Sequence, residues 1–109
     1  MITLKTLPQA TKEEVFEQVK NHLLKQNERS LYEESCKYKS GELKCAAGCL
    51  IADDEYNKVR EGLTWNDLVR DGVAPETHQK LIYDLQLIHD EYYPHEWKEQ
   101  LDKIDLNDY

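Results

Sequence analysis

The sequence predicts a mainly α-helical domain with a small β-hairpin, a compact bundle of four to five helices around a short buried central helix. Three observations support this fold class. Apolar residues recur at helical spacing in three segments, 15–24, 81–88 and 97–104. Thr-x-x-acid motifs, typical of helix N-termini, stand before two of the predicted helices. The dense apolar block at residues 45–51 is far shorter than the roughly 20 residues that cross a membrane, so we expect it at the centre of the fold.

The first helix is predicted from a capping motif and an apolar stripe. Thr11 and Glu14 have the spacing of a capping box, in which each side chain accepts a hydrogen bond from the other's backbone N–H. The stripe consists of Val15, Phe16, Val19, Leu23 and Leu24. We expect the helix to end near Gln26 or Asn27 and residues 28–35 to be polar and irregular.

Alternation with a period of two on both sides of Ser40-Gly41 predicts a β-hairpin. A two-residue loop at this dipeptide pairs Tyr38 with Leu43. The same register places Cys36 opposite Cys45, whereas a three-residue loop would shift both pairs. Because an isolated hairpin is only marginally stable in water, we expect its apolar face to pack on helices.

Two short helices are predicted in the middle of the chain. Residues 46–51 are apolar almost without interruption, which favours a short buried helix. Gly48 within it allows a neighbouring backbone to approach closely, or breaks the helix. Thr64 and Asp67 repeat the capping motif, and Gly72 stands where a C-terminal cap is expected.

Two more helices are predicted in the last third of the chain. Pro75 predicts the first position of a helix. The backbone N–H at that position has no hydrogen-bond partner within the helix, so proline, which lacks this N–H, is favoured there. The apolar stripe of this helix consists of Leu81, Ile82, Leu85 and Ile88. We expect it to end at residues 92–94, Tyr-Tyr-Pro. The stripe of the final helix consists of Trp97, Leu101 and Ile104.

Length and cysteine usage predict one intracellular domain. The 109 residues suffice for a single domain, 1–109, in which we expect residues 1–8 to form a loose lead-in and residues 105–109 to fray. Three cysteines, an odd number, argue against a secreted disulfide scaffold, and no apolar leader is visible. We therefore expect a cytoplasmic protein that does not associate with membranes.

The negative charge is concentrated in the second half of the chain. Residues 1–52 contain eight Lys and Arg against seven Asp and Glu, whereas residues 53–109 contain six against fifteen. Nucleic acid repels such a surface, so we expect no direct binding to DNA or RNA. The acidic half either keeps the protein soluble or faces a basic protein partner.

The cysteines and the acidic run have both structural and chemical interpretations. Free cysteine commonly packs as a small hydrophobe, whereas Cys36, Cys45 and Cys49 with one histidine could build a Zn²⁺ site, and Cys36 and Cys45 could form a redox pair. Since no C-x-x-C motif occurs, we favour core packing. The run Asp53–Glu55 could bind Ca²⁺, but it lacks the spacing of an EF-hand and is better explained as a cap of the next turn.

The histidines offer little support for catalysis. The four, His22, His78, His89 and His95, are far apart in the sequence, and we expect them on helix surfaces. His89 beside Asp90 and Glu91 could act as an acid or base. No nucleophile elbow, P-loop, H-E-x-x-H or Rossmann motif occurs. The sequence thus predicts no catalytic residue, no metal ligand and no cofactor.

Two segments carry a resemblance to a group of small proteins. Residues 43–56, of the pattern L-K-C-A-x-G-C-L-I-x-D-D-E-Y, resemble a segment of uncharacterised proteins from bacteria, phages and mobile gene cassettes. Residues 84–90 are similar to a second segment of the same group, and the two cover about a fifth of the chain. The resemblance implies a mobile-element origin and a compact single domain, but no particular activity.

These observations predict an accessory protein that acts by binding another protein. The candidate contacts are acidic and aromatic residues of the last two helices: Asp84, Asp90, Glu91, Tyr92, Tyr93, Glu96, Trp97 and Glu99. The aromatic members could instead close the core between these helices. The alternatives are a small His/carboxylate or metal-dependent enzyme domain and a structural oligomer.

Overall fold

The computed structural model describes residues 1–109 and contains four α-helices and two antiparallel hairpins. The helices are α1 (Lys12–Gln26), α2 (Trp65–Arg70), α3 (Gln79–Glu91) and α4 (Pro94–Asp102). The strands are β1 (Leu31–Tyr32), β2 (Ser35–Cys36), β3 (Lys39–Ser40) and β4 (Leu43–Lys44). Single 3-10 turns cover Leu7–Gln9, Gly48–Leu50, Lys58–Arg60 and Leu106–Asp108. The predicted mainly α class with a small hairpin is confirmed, and a second hairpin adds to it.

Local capping signals position α1 and α2 as predicted. The Thr11 hydroxyl accepts from the Glu14 N–H at 3.1 Å, and the Glu14 carboxylate accepts from the Thr11 N–H at 2.8 Å. Thr64 and Asp67 make the same reciprocal pair at the start of α2. Gly72, at φ +76°, follows the end of α2 in the left-handed conformation that glycine adopts without strain.

The predicted start of α3 at Pro75 is wrong. The helix begins at Gln79, after a turn in which His78 has φ +56°. A residue in the left-handed region cannot continue a right-handed helix, so Pro75 lies outside it. A ring nitrogen of His78 lies 2.7 Å from the Ala10 carbonyl oxygen, a contact that holds this turn against the residues preceding α1.

One apolar core joins all four helices. It contains 19 buried apolar side chains, including the predicted α3 stripe of Leu81, Ile82, Leu85 and Ile88. In α1 the buried positions are Val15, Val19 and Leu23, while Phe16 and Leu24 are only partly buried. None of the helices combines the length and the apolar character that a membrane span requires.

The apolar block 45–51 lies in this core, as predicted, but most of it is not helical. Every residue of the block except Cys49 is buried, and only Gly48–Leu50 forms a 3-10 turn. A Cβ atom at Gly48 would lie 2.0 Å from the Tyr38 carbonyl oxygen. Glycine therefore permits the predicted close approach of a neighbouring backbone, which is that of the hairpin.

The predicted register of the second hairpin is wrong by one loop position. The loop is Gly41-Glu42, and the paired residues are Lys39 with Lys44 and Ser40 with Leu43. Gly41 has φ +61° and takes the first central position of the turn, where tight hairpins need a positive φ. Cys36 consequently does not face Cys45, and all three cysteines are free thiols.

The first hairpin replaces the irregular segment predicted at residues 28–35. Leu31 pairs with Cys36 and Tyr32 pairs with Ser35. The loop consists of Glu33 at φ +51° and Glu34 at φ +67°. The usual sequence signal for such a loop is Asn-Gly, and two glutamates give no such signal.

The ends of the chain are packed where we predicted a lead-in and a frayed tail. Leu7 is fully buried, and the backbone N–H groups of Leu4 and Lys5 donate to the Glu55 carboxylate at 3.0 and 3.1 Å. At the other end, the Tyr109 hydroxyl donates to Asp84. These contacts join residues that are far apart in the sequence, so no local sequence pattern predicts them.

Candidate functional site

A pocket of about 210 Å³ lies between residues 36–38, which lead from the first hairpin to the second, residues 61–65 at the start of α2, and α3. Apolar and polar side chains contribute to its lining, among them Leu63, Trp65, Tyr83, Leu87, Gln86 and Asp90. The Tyr38 hydroxyl donates to the Leu63 carbonyl oxygen at 2.6 Å, and the Glu61 carboxylate accepts from the Tyr38 N–H at 2.8 Å. These bonds hold the loop against the hairpin and thereby shape the pocket.

Beside this pocket, Cys36, His89 and Asp90 form a cluster whose ligand atoms all lie within 4.8 Å of one another. Nδ1 of His89 lies 2.7 Å from Oδ1 of Asp90. The same carboxylate oxygen accepts from Nε2 of Gln86 at 2.8 Å. The Cys36 thiol lies within 4.8 Å of both His89 and Asp90. Asp90 is therefore the common acceptor of His89 and Gln86, with the Cys36 thiol close by.

His89 is held in one neutral tautomer. The backbone N–H of Ser30 donates to its Nε2 at 3.1 Å, so that nitrogen carries no proton. The ring proton is then on Nδ1, which donates to Asp90. The ring is fully buried and stacks on Trp97 with a centroid distance of 5.4 Å. Our prediction of His89 on the helix surface is wrong.

The hydrogen bonds of His89 make this cluster a poor metal site. A metal ion at Nδ1 would displace the proton to Nε2, where it would point at the Ser30 N–H. Nε2 is enclosed by that same N–H and cannot reach the other two donors. Only Cys36 and Asp90 remain, fewer than the three protein ligands of a typical zinc site.

The thiols of this region are poor nucleophiles. Burial, together with the adjacent Asp90 charge, raises the pKa of Cys36 to about 11. Burial also raises the pKa of Cys49 to about 12 and that of the fully buried Cys45. Because the thiolate is the reactive form, protonated thiols do not support covalent catalysis. With both nitrogens of His89 engaged, the cluster joins elements of the fold and holds no activated base.

The cluster continues into a hydrogen-bond network that joins α3 to the core block. Oε1 of Gln86 accepts from the Ala47 N–H at 2.8 Å, while its Nε2 donates to Asp90. Ser30, through its N–H to His89 and its hydroxyl to the Leu43 carbonyl oxygen at 3.3 Å, brings in the residues around the hairpins. The polar side of the pocket is therefore rigidly positioned.

Trp65, which lines the pocket, also carries a buried polar group without a partner. Its side chain is 1% exposed, and its indole Nε1 is the one buried side-chain polar atom without a hydrogen-bond partner. Trp65 is the first residue of α2, where the Thr64 cap fixes its backbone. By contrast, the indole of Trp97 donates to the Tyr92 carbonyl oxygen at 3.1 Å.

The structure corrects the role of Trp97 and divides the other predicted contact residues. Trp97 is fully buried, so it packs in the core and cannot anchor a partner. Asp90 belongs to the pocket cluster. The Asp84 carboxylate pairs with Lys80 at 2.8 Å and accepts from Tyr109. The Lys80–Asp84 pair follows from i,i+4 spacing on one helix, whereas the Tyr109 contact could not be foreseen, because only the fold brings Tyr109 to α3.

The remaining predicted residues lie around the junction of α3 and α4. Glu91 and Glu99 are exposed, and the Tyr93 ring is 60% exposed. Glu96 caps α4 by accepting from the Tyr93 N–H at 3.0 Å. Tyr92 is partly buried. We call Asp84, Glu91, Tyr92, Tyr93, Glu96 and Glu99 the α3–α4 surface.

Arg29 organises the aromatic part of this surface. Its guanidinium donates to the Tyr92 carbonyl oxygen at 2.7 and 3.1 Å and lies 4.6 Å from the centre of the Tyr93 ring. His95 stacks on Tyr93 with a centroid distance of 5.9 Å. The exposed Tyr93 ring is thus held in one orientation by neighbours from two segments.

Sequence reasoning missed Trp65 as a site residue and did not join Cys36 to His89. The adjacent His89 and Asp90 were visible as a pair, but their distance from Cys36 in the sequence gave no reason to connect them. Trp65 follows a capping threonine, which indicates a helix start and gives no information on a pocket.

Comparisons with known proteins leave the function to be argued from this geometry. No family model matches the chain, and no match is found among the curated proteins or among the solved structures. The resemblance of residues 43–56 and 84–90 to proteins of mobile elements therefore stays a prediction.

Proposed function

We propose that this chain is a small acidic accessory protein that acts by binding a basic protein partner through the α3–α4 surface. The supporting observation is the uneven charge: residues 53–109 contain fifteen Asp and Glu against six Lys and Arg, and residues 1–52 contain seven against eight. The acidic half supplies α2, α3 and α4. Complementary charge of this kind accelerates encounter with a partner and sets its orientation.

Tyr93 is the best anchor on this surface. Tyrosine is enriched among the residues that dominate binding energy at interfaces, because its ring offers apolar area and its hydroxyl a hydrogen bond. Tyr93 is 60% exposed and already oriented by Arg29, so little side-chain entropy remains to be lost on binding. The flanking Glu91 and Glu99 are exposed and supply negative charge.

Several carboxylates of the acidic half are paired with lysines. Asp102 lies 2.9 Å from Lys98, and Asp84 lies 2.8 Å from Lys80. Glu99 lies 3.7 Å from Lys103 in a loose, exposed pair that contributes little stability. Glu91 has no ion-pair partner, which makes it the strongest candidate for a contact with a basic residue.

One version of this proposal is mimicry of nucleic-acid charge, in which the acidic half occupies the basic groove of a nuclease or repressor. Such binding weakens steeply with salt, because most of its attraction is between exposed charges. Affinity capture from a lysate of the host, at ~50 mM and ~500 mM salt, distinguishes this version from a mainly apolar contact. A partner retained equally at both concentrations excludes charge mimicry.

A variant pair tests the surface itself. The triple variant Glu91→Gln, Tyr93→Ala, Glu99→Gln removes two charges and the anchor, and we expect it to lose the partner recovered at low salt. The matched control Glu13→Gln, Glu17→Gln removes two exposed charges from α1 and should retain that partner. Equal recovery with both variants would contradict the proposed surface.

A further inference from the structure

We propose that the pocket formed by residues 36–38, residues 61–65 and α3 binds a small organic ammonium ion that contains about one ring. Asp90 supplies the carboxylate that pairs with the ammonium group, and apolar side chains of the lining contact the ring. The site is separate from the α3–α4 surface and does not depend on the proposed protein partner.

The carboxylate of Asp90 has one oxygen without a hydrogen bond. Its Oδ1 accepts from Nδ1 of His89 at 2.7 Å and from Nε2 of Gln86 at 2.8 Å, whereas its Oδ2 accepts from no group of the protein. The Asp90 side chain is 33% exposed and lines the pocket, so a ligand can reach it. An ammonium group carries three donors and no acceptor, which suits a free carboxylate oxygen.

The negative charge of the lining is not balanced. Asp90 and Glu61 both line the pocket, and the one ion-pair contact of Asp90 is to His89, which is neutral. The oxygens of Glu61 accept from three neutral donors, the N–H groups of Tyr38 and Lys39 and the hydroxyl of Tyr56. Lys37 is the only Lys or Arg of the lining. Two carboxylates therefore oppose one ammonium group, and a monovalent cation balances the difference.

The ionisation of three other lining residues shows the effect of this charge. Burial is the largest cause of the raised pKa of Cys36, Tyr38 and Cys45, and the charge of Asp90 acts in the same direction on all three. A carboxylate that opposes further negative charge in its surroundings attracts positive charge there. The electrostatic character of the pocket is therefore that of a cation site.

The lining favours an organic cation over a metal ion. Leu63, Tyr83 and Leu87 contribute apolar area, which stabilises a ring and offers nothing to a hydrated ion. Tyr83 also brings an aromatic ring, and the faces of such rings attract ammonium groups. Asp90 offers one free oxygen and both oxygens of Glu61 are already bonded, whereas Ca²⁺ takes about six to eight oxygen ligands.

The volume of the pocket limits the ligand to about one ring. The pocket encloses about 210 Å³. Because an apolar cavity of about 150 Å³ accommodates benzene, there is room for one ring and one short substituent. Benzylamine has this size and is an ammonium ion at neutral pH, which makes it a suitable probe.

A ¹H–¹⁵N NMR titration of the full chain with benzylamine at constant pH tests the site. We expect the backbone N–H signals of Gly62 and Leu87, which line the pocket, to shift and to saturate. The signal of Glu99, on the α3–α4 surface, should stay in place. Benzyl alcohol has nearly the same shape without the charge, and it should bind at least about tenfold more weakly.

Charge variants separate a specific pair from general attraction to an acidic protein. Asp90→Asn keeps an oxygen that can accept from His89 and Gln86 but loses the charge, and it should weaken benzylamine binding at least about tenfold. The matched control Asp54→Asn removes an exposed carboxylate outside the pocket and should leave binding unchanged. Lys37→Gln removes the opposing cation and should tighten binding by up to about fivefold.

Three results would overturn this inference. They are the absence of a saturable shift at Gly62 and Leu87 with benzylamine, equal binding of benzylamine and benzyl alcohol, and unchanged binding by folded Asp90→Asn. Far-UV circular dichroism verifies that each variant is folded. If Asp90→Asn does not fold, Lys37→Gln takes its place, and unchanged or weaker binding by that variant would contradict the charge balance of the pocket.

Discussion

At the scale of single residues, the polar groups of this protein show how one carboxylate can organise several neighbours. Asp90 accepts from His89 and Gln86 of its own helix, α3, and lies close to the Cys36 thiol of β2, while His89 and Gln86 in turn accept from the N–H groups of Ser30 and Ala47. Buried donors without partners are costly, so such a network fixes the relative position of its members. The network around Asp90 therefore accounts for the geometry of the pocket and contributes to the low reactivity of Cys36.

The reactivity of Cys36 tests this network. Removing the charge with Asp90→Asn should lower the pKa of Cys36 from about 11, because the nearby carboxylate opposes the thiolate. We expect alkylation of Cys36 by iodoacetamide at neutral to mildly alkaline pH to become several-fold faster, by about tenfold for each unit of pKa. Peptide mass spectrometry separates this residue from the other two cysteines.

The control for this experiment is Asp54→Asn, which removes an exposed carboxylate outside the network. It should leave the alkylation rate of Cys36 unchanged. Equal rates in the wild type and in folded Asp90→Asn would show that burial alone, the larger cause, sets the reactivity of this thiol.

Glu55 connects the beginning of the chain to the core block. Burial acts to raise its pKa, but hydrogen bonds from the N–H groups of Ala52, Leu4 and Lys5 outweigh burial and lower the pKa. A carboxyl whose pKa is lower in the folded state stabilises the fold above its unfolded pKa, about 4.3. That contribution is lost as the pH falls through the folded pKa.

The loss of stability caused by Glu55→Gln should therefore depend on pH. At neutral pH the variant should lose about 1–3 kcal/mol, because hydrogen bonds to a charged acceptor become bonds to a neutral one. Below the folded pKa the difference should shrink, since the wild-type group is then protonated. Urea unfolding at neutral pH and at a series of acidic pH values measures how this difference changes, and a difference independent of pH would contradict this assignment.

At the scale of elements, the first hairpin is held in a loop conformation that its sequence does not favour. Glu33 and Glu34 both have positive φ, a region that residues other than glycine and asparagine rarely adopt. The hairpin persists because its neighbours fix it: the Ser30 carbonyl oxygen accepts from the Lys37 N–H at 2.8 Å, just outside the paired residues.

The double variant Glu33→Asn, Glu34→Gly should therefore stabilise the protein. Asn-Gly fits two positive φ values, and we expect a gain of about 0.5–2 kcal/mol in the free energy of unfolding. Chemical denaturation measures the gain. The same double change to Ala removes two negative charges without relieving the backbone, and it should not stabilise to the same extent. If the alanine variant gains as much, charge relief rather than loop geometry is the cause.

At the scale of the whole molecule, the predictable features are those with local causes. Each of the two caps, Thr11–Glu14 and Thr64–Asp67, is encoded by a motif of four consecutive residues, and both caps are present in the structure. The α3 stripe follows from spacing alone. The Cys36–His89–Asp90 cluster and the packed chain ends depend on contacts between distant segments. The periodic spacing of apolar residues carries no information about contacts between distant segments, so sequence reasoning missed them.

The mutual packing of these segments makes the core a single unit, and Leu85 tests this. Leu85 lies in the middle of α3, is fully buried, and belongs to the same cluster as the 45–51 block. Leu85→Ala should cost about 2–5 kcal/mol, through lost apolar burial and the cavity left behind. Two-state urea denaturation followed by tryptophan fluorescence measures this loss.

The matched change Leu87→Ala removes the same atoms from a side chain that is 38% exposed on the same helix. It should cost much less than Leu85→Ala, because a smaller apolar area returns to water and no closed cavity forms. A loss below about 1 kcal/mol for Leu85→Ala, or equal losses at both positions, would mean that α3 does not close the core around the central block. In a domain this small, that would remove the support for the pocket and for the α3–α4 surface together.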